Sequence, residues 1–112
     1  MKEDSQTTAR SEAAAADVRD LLQLDRVIHE PARLAIAAIL AACESADFVY
    51  LRHATGLTQG NLSAHLLRLQ EAGYLEMEKR FVGNKPNTLC RLTDTGRAAF
   101  QAYRRQVRSL TA

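Results

Sequence analysis

The sequence predicts a mainly α domain with one small β-hairpin, an α+β fold, on three observations. Leu62, Leu66 and Leu69 recur at i, i+4 and i+7 between Thr58 and Gly73, which makes one apolar face of a helix. Two strand-like runs, YLEMEKRFV and NTLCRLT, flank the turn-forming GNKPN. Helical patterns rich in alanine and leucine precede this unit, and a further apolar stripe follows it. At 112 residues the chain suffices for one core. Residues 1–10 are expected to be a disordered tail and 11–112 the folded domain.

Composition narrows the function classes. The chain is 46% hydrophobic and 25% charged, ordinary for a globular protein. It contains no apolar run of membrane-spanning length and no basic-then-apolar leader, so no membrane partner is expected and a cytoplasmic protein is. The net charge of +2 conceals an asymmetry: residues 1–30 hold four basic and seven acidic side chains, whereas 31–112 hold eleven and six. A basic body suits a polyanionic partner. Cys43 and Cys90 stand far apart in no metal-ligand spacing and read as small buried hydrophobes; no metal or other cofactor is expected. With no phosphate loop and no nucleophile–base arrangement, an enzyme is not expected either. Ser63 and His65, two apart on a helix, point away from each other.

In chain order, a first helix is expected from about Ser11. Val18, Leu21 and Leu22, with Leu24, Val27 and Ile28 beyond, form an apolar surface too large for a lone helix to leave wet. Pro31, preceded by Glu30, opens a second helix. Its Leu34, Ile36, Ala37, Ile39 and Leu40 occupy most of the circumference, so it is read as buried scaffold. Residues 45–47 are read as a loop, with Asp47 capping a third helix. Phe48, Tyr50, Leu51, Ala54 and Leu57 are assigned to its core side, and Arg52 and His53 to its far side. Gly56 with Thr58 then makes a tight break, so that 48–72 reads as helix-turn-helix.

The fourth helix begins at Thr58, whose hydroxyl can accept from the amide of Asn61 or Gly60. Opposite its leucines lie Gln59, Gly60, Asn61, Ser63 and Ala64, then Arg68. Small residues permit close approach to another surface, and amides and hydroxyls can read base edges or phosphates. Residues 74–93 form the hairpin. Leu75, Met77, Phe81, Cys90 and Leu92 are assigned to its core face. Arg80, Asn84, Lys85, Asn87 and Arg91 are assigned to the opposite face and tip, which Gly83 and Pro86 bend. Thr93 caps the last helix, 94–110. Its stripe of Phe100, Tyr103, Val107 and Leu110 outruns one small domain and suggests contact with the N-terminal helix of a second copy.

Helix, turn, helix, hairpin, helix is the order of a winged helix-turn-helix. The segments LDRVIHEPARLAI, TGLTQGNLSAHLLRLQEAGYLE and KRFVGNKPNTLCRLTDTGRAAF resemble small winged-helix regulators near the MarR and ArsR families of bacterial transcription factors. The resemblance implies a homodimer on duplex DNA, with regulation as a repressor reading an inverted repeat. On that reading Thr58, Gln59, Gly60, Asn61, Ser63, Ala64, Arg68 and Arg52 contact DNA, and Arg80, Asn84, Lys85 and Asn87 form the wing. Val18, Leu21, Leu22, Phe100, Tyr103, Val107 and Leu110 would form the dimer interface. It also implies that His65 is structural. Leu67 departs from relatives that are often basic there. The paired cysteines of an ArsR metal sensor are missing. Two alternatives stay open: a winged helix that binds protein, and a switch responsive to an unidentified small-molecule effector or to thiol chemistry.

Overall fold

The computed structural model describes residues 18–111. The expected disordered tail and the helix start near Ser11 lie outside that range. Residues 18–21 are helical and lead through an irregular stretch into α1 (Pro31–Ala41). There follow β1 (Ala46–Asp47), α2 (Phe48–Thr55), α3 (Gln59–Glu71), β2 (Leu75–Val82), β3 (Lys85–Leu92) and α4 (Asp94–Thr111).

Each of α1 to α4 starts on a side chain that satisfies an otherwise orphan amide. Glu30 accepts from the Arg33 amide at 2.8 Å, Asp47 from that of Tyr50 at 2.8 Å, and Thr58 from that of Asn61 at 3.2 Å. Thr93 accepts from the Gly96 amide at 3.0 Å while its hydroxyl donates to the Gly73 carbonyl. α3 ends in a Schellman motif: Gly73, at φ +80°, donates to Gln70 and Tyr74 donates to Leu69.

The strands form one antiparallel sheet in the order β1-β3-β2, with Leu75 opposite Leu92 and Val82 opposite Lys85. β1 was expected to be loop; it pairs Ala46 with Cys90 and Asp47 with Leu89. The hairpin closes on two residues, not five: Gly83 at φ +63° and Asn84 at negative φ have the sign pattern of a type II′ turn. Lys85 and Pro86 therefore belong to β3, and Pro86 faces Phe81.

Two apolar clusters hold these elements. Ile36, Leu40, Leu51, Leu62, Leu66, Leu69, Leu75, Cys90 and Leu92 join α1, α2 and α3 to the sheet. Each of these buried leucines contributes about 1.5–3 kcal/mol of transfer free energy. Leu24, Ile28, Ala37, Phe100 and Tyr103 join the N-terminal segment to α1 and α4. Two expectations need correcting here. Tyr50 and Ala54 are exposed, because the two turns of α2 reach the core through Leu51. Ala35 and Ala38 are exposed too, so α1 is buried on one side rather than all round.

The segment 24–30 is strapped to three elements by polar bonds. Asp25 takes the Val27 and Ile28 amides on one carboxylate oxygen and the Tyr74 hydroxyl, at 2.5 Å, on the other. The imidazole of His29 meets the Tyr103 hydroxyl at 2.8 Å, and Glu30 lies 3.5 Å from His65 on α3. The bond to Asp25, with burial adding to it, pushes the Tyr74 phenol up to about 12. A raised tyrosine pKa means that this bond stabilises fully below pH 10 and is lost as pH rises toward 12. Tyr74→Phe is expected to cost about 1.5–3 kcal/mol in urea unfolding at neutral pH, as a bond to a charged group does. The gap between variant and wild type should then close from pH 10 to 12. A gap that stays constant over that range would locate the effect elsewhere.

Candidate nucleic-acid interface

α2, the break at Gly56–Thr58 and α3 form a helix-turn-helix in which Gly56 takes φ +71°. Leu62, Leu66 and Leu69 hold α3 to the core, which leaves its other side in solvent. Gln59, Gly60, Asn61, Ser63 and Ala64 are all exposed there, and Thr58 is exposed at the cap. The N-terminal end of α3 thus presents hydroxyls, amides and unused backbone N–H groups under the positive end of the helix dipole. Gly60 is informative. A Cβ placed on it would meet nothing within 4 Å, so the fold itself does not require a glycine. Bareness at that point makes sense if something outside the chain comes close.

Further along, Leu67 is half exposed and Arg68 lies 3.7 Å from Glu71, both of the latter more than half exposed. Such a solvated pair is weak and leaves Arg68 able to turn to another anion. His65 is structural, as expected: it sits 3.2 Å from Arg33 and near Glu30. Arg33 also donates through Nε to the Val27 carbonyl at 2.5 Å. Partial burial opposes ionisation of Glu30, but the amides of Arg33 and Ala32 and the charges of His65 and Arg33 hold its carboxyl below its usual range. This cluster fixes α3 against the start of α1. Arg52 projects from α2 into solvent.

The hairpin supplies the second part of the surface. Arg91 bonds Glu78 at 2.9 Å and lies 3.6 Å from Glu76, so the acids at the base of the hairpin are matched locally and Arg91 is engaged there. Arg80 donates through Nε to Asn87 directly across the strands at 3.0 Å, and Asn87 reaches Asp47 at 3.4 Å. That chain ties the middle of the wing to the cap of α2. Asn84 and Lys85 are exposed at the tip, and so is Lys79, which the sequence reading did not single out. Its signal was there to find, since residues 79–90 contain three basic and no acidic side chains. Phe81, assigned above to the core face, is instead 73% exposed. It shares the face of Leu75 and Met77 but lies past the end of the helices that cover them.

The residues expected at a dimer interface divide. Phe100 and Tyr103 are buried within their own chain at 6% exposure each, against Leu24, Ile28 and Ala37, and Val107 and Leu110 pack partly onto the same cluster. Phe100 and Tyr103 are thus already covered without a partner, because the irregular stretch after residue 21 returns over α4. Val18, Leu21 and Leu22 are at least half exposed. Of the cysteines, Cys43 is half-buried, while burial, with the charge of Asp47, pushes the Cys90 thiol up to about 11, so little reactive thiolate forms. Among the described residues, no cluster of His, Cys, Asp and Glu could hold a metal ion, and no helix is long and apolar enough to cross a membrane.

Comparison with known proteins agrees with this geometry. A family profile described as winged helix DNA-binding domain matches residues 32–111. An uncharacterized protein of Methanocaldococcus jannaschii is 35% identical over 78 residues, 70% of this chain and 85% of that protein. Among solved structures, a transcriptional regulator homologue from Pyrococcus horikoshii superposes with a TM-score of 0.77 at 23% identity, over 83% of this chain and 94% of that one. Bordetella bronchiseptica BpsR, whose DNA binding is regulated by 6-hydroxynicotinic acid, superposes with a TM-score of 0.65 at 18% identity, over 96% and 81%. A MarR-family regulator of Silicibacter pomeroyi shares the fold as well. The solved structures that share this fold include transcriptional regulators, and the family model is that of a DNA-binding domain. On the match across 32–111 and the archaeal relative, the chain belongs to the winged helix DNA-binding domain family.

Proposed function

We propose that the protein is a homodimeric transcriptional repressor that reads an inverted repeat in duplex DNA, with one recognition helix α3 in each of two successive major grooves about 34 Å apart. The observation that carries this reading is the solvent face of α3. There Gly60, Asn61, Ser63 and Ala64 are small or hydrogen-bonding, and the fold has no steric use for the glycine. Gln59 and Asn61 are the base readers, since a side-chain amide can bond N6 and N7 of adenine together, a contact worth about 1–3 kcal/mol of discrimination. Thr58, Ser63, Arg52 and Arg68 position the helix on phosphates, and Arg80, Asn84, Lys85 and Asn87 do so from the wing.

Selection of bound fragments from random DNA, followed by a footprint, tests binding, symmetry and half-site spacing together. On the selected site, Gln59→Ala or Asn61→Ala should relax preference at particular positions and leave binding to random DNA nearly unchanged. If both variants lower specific and random binding by the same factor, these residues do not read bases.

The dimer rests on Val18, Leu21 and Leu22, which their own chain leaves exposed. Leu24 and Asp25 serve the chain's own core, so the test must spare them. Leu21→Glu with Leu22→Glu should give a monomer in sedimentation, with DNA affinity reduced at least tenfold because the second half-site is no longer engaged. An unchanged dimer would move the interface elsewhere.

A second reading adds an effector. An open groove of about 680 Å³ runs between α1, β1 and the wing, lined among others by Cys43, Asp47, Tyr50 and Arg80. A ligand there would touch a wing residue, and the DNA binding of BpsR, which shares the fold, is regulated by a small molecule. Thermal shifts against a panel of small aromatic acids would test this, and no shift with any of them would remove it.

A further inference from the structure

The wing ends in an apolar point. Phe81 is 73% exposed and Val82 55%, on the two opposite faces of the last strand residues before the turn. Phe81 lies four residues, about 13 Å of strand, beyond Met77, which still packs on the core. No described residue of its own chain brings the ring out of water, yet the backbone that carries it is constrained. Pro86 stands directly across from it, and the two-residue turn at Gly83–Asn84 closes the hairpin just past it. Proline fixes its own backbone φ, so the strand behind the ring is stiff.

The surroundings indicate what covers the ring. Lys79 lies two residues before it on the same strand face, Arg80 and Lys85 project from the other face of the narrow hairpin beside Val82, and no acidic side chain occurs from residue 79 to residue 90. A protein surface that accepted this apolar point would have to match three cations around it. A nucleic-acid duplex does so at every groove edge, since phosphates line an interior of sugars and base edges. Minor-groove binders insert Phe, Leu, Ile, Met or Pro between base steps in this setting.

We propose that Phe81 is an apolar wedge: with the wing cations on flanking phosphates, its ring enters the minor groove beside the recognition site and partly opens one base step. This rests on the DNA-binding reading above and adds a specificity element to it. Pyrimidine–purine steps unstack most easily, so the protein would prefer such a step at a position that α3 does not touch.

The experiment uses the full chain and the selected operator carrying 2-aminopurine at successive positions of the flanking minor groove. Wild type is expected to raise the fluorescence at one step. Phe81→Ala should abolish that rise and weaken operator binding about tenfold, as expected for removing one aromatic ring from a base. The salt dependence of binding should not change, because every phosphate keeps its cation. Phe81→Leu, still apolar, should retain most of both signals. The wedge is overturned if wild type binds without any fluorescence rise, or if Phe81→Ala binds as well as wild type. It is also overturned if the weaker binding comes with a flatter salt slope, which would mean that the cations had been displaced. A changed sedimentation coefficient of Phe81→Ala without DNA would assign the ring to a protein interface and overturn it too. In each of these results wild type still binds its operator and the DNA-binding reading stands; only failure of wild type to bind any duplex removes both.

Discussion

Gly96→Ala is expected to be among the most damaging single-methyl changes in this chain. Gly96 is buried in the first turn of α4, where a Cβ would overlap the Tyr74 carbonyl oxygen and lie 2.8 Å from its carbonyl carbon. Those are backbone atoms and cannot swing aside. The same carbonyl accepts from the Thr93 amide at 3.0 Å, so moving α4 away would break the bond that starts it. Overpacking of this kind costs about 1–3 kcal/mol and more where the backbone must shift. For a domain of this size the melting temperature should fall by roughly 10 °C or more. Gly73→Ala is the control. It has open space for a Cβ and only the strain of φ +80° to bear, so it should cost about 1–2 kcal/mol. If Gly96→Ala melts within about 2–3 °C of wild type, a drop of well under 1 kcal/mol, α4 does not pack on Tyr74 as described.

The second large effect concerns the wing. Replacing Lys79, Arg80 and Lys85 together by Ala removes every cation between residues 79 and 90. If each neutralises one phosphate, affinity at about 0.1 M salt should drop on the order of 100- to 1,000-fold, and the slope of log affinity against log salt should become shallower by roughly 0.9 for each phosphate left without its cation. Specific and random DNA should weaken alike, because phosphates carry no base identity. All three side chains are exposed and only the Arg80–Asn87 bond is lost within the chain, so the melting temperature of the variant should stay close to that of wild type. A triple variant with an undiminished salt slope would take the wing off the DNA.

These two sites differ in how far they could be read from sequence. The ends of α3 were legible, because Thr58 and Gly73 mark them by local chemistry and the three leucines supply the phase. The order of elements was legible for the same reason. Gly96 was not, since a glycine in a helical pattern says nothing of which backbone crosses it. Phe81 was misread because alternation along a strand gives the face but not the distance at which the core ends. The stripe of α4 was seen correctly, but a stripe does not say whose core it fills: Phe100 and Tyr103 fill their own. β1 was invisible, two residues long and dependent on Leu89 and Cys90 for its pairing. On the recognition face, residue types could be read directly, whereas the pairing of Arg80 with Asn87 and of Arg91 with two glutamates needed the strand register.

Tyr74 has a consequence for how this wing can vary. Its amide donates to Leu69, its carbonyl accepts from Thr93, its hydroxyl holds Asp25, and Gly96 presses on its backbone. The passage from recognition helix to wing is therefore fixed in length, and one inserted residue there would break several of these bonds at once. The turn at Gly83–Asn84 is exposed and carries no such obligations. Insertions should be tolerated at the tip and refused at the root, so a longer wing on this scaffold would reach farther along a duplex while leaving its angle to the recognition helix unchanged.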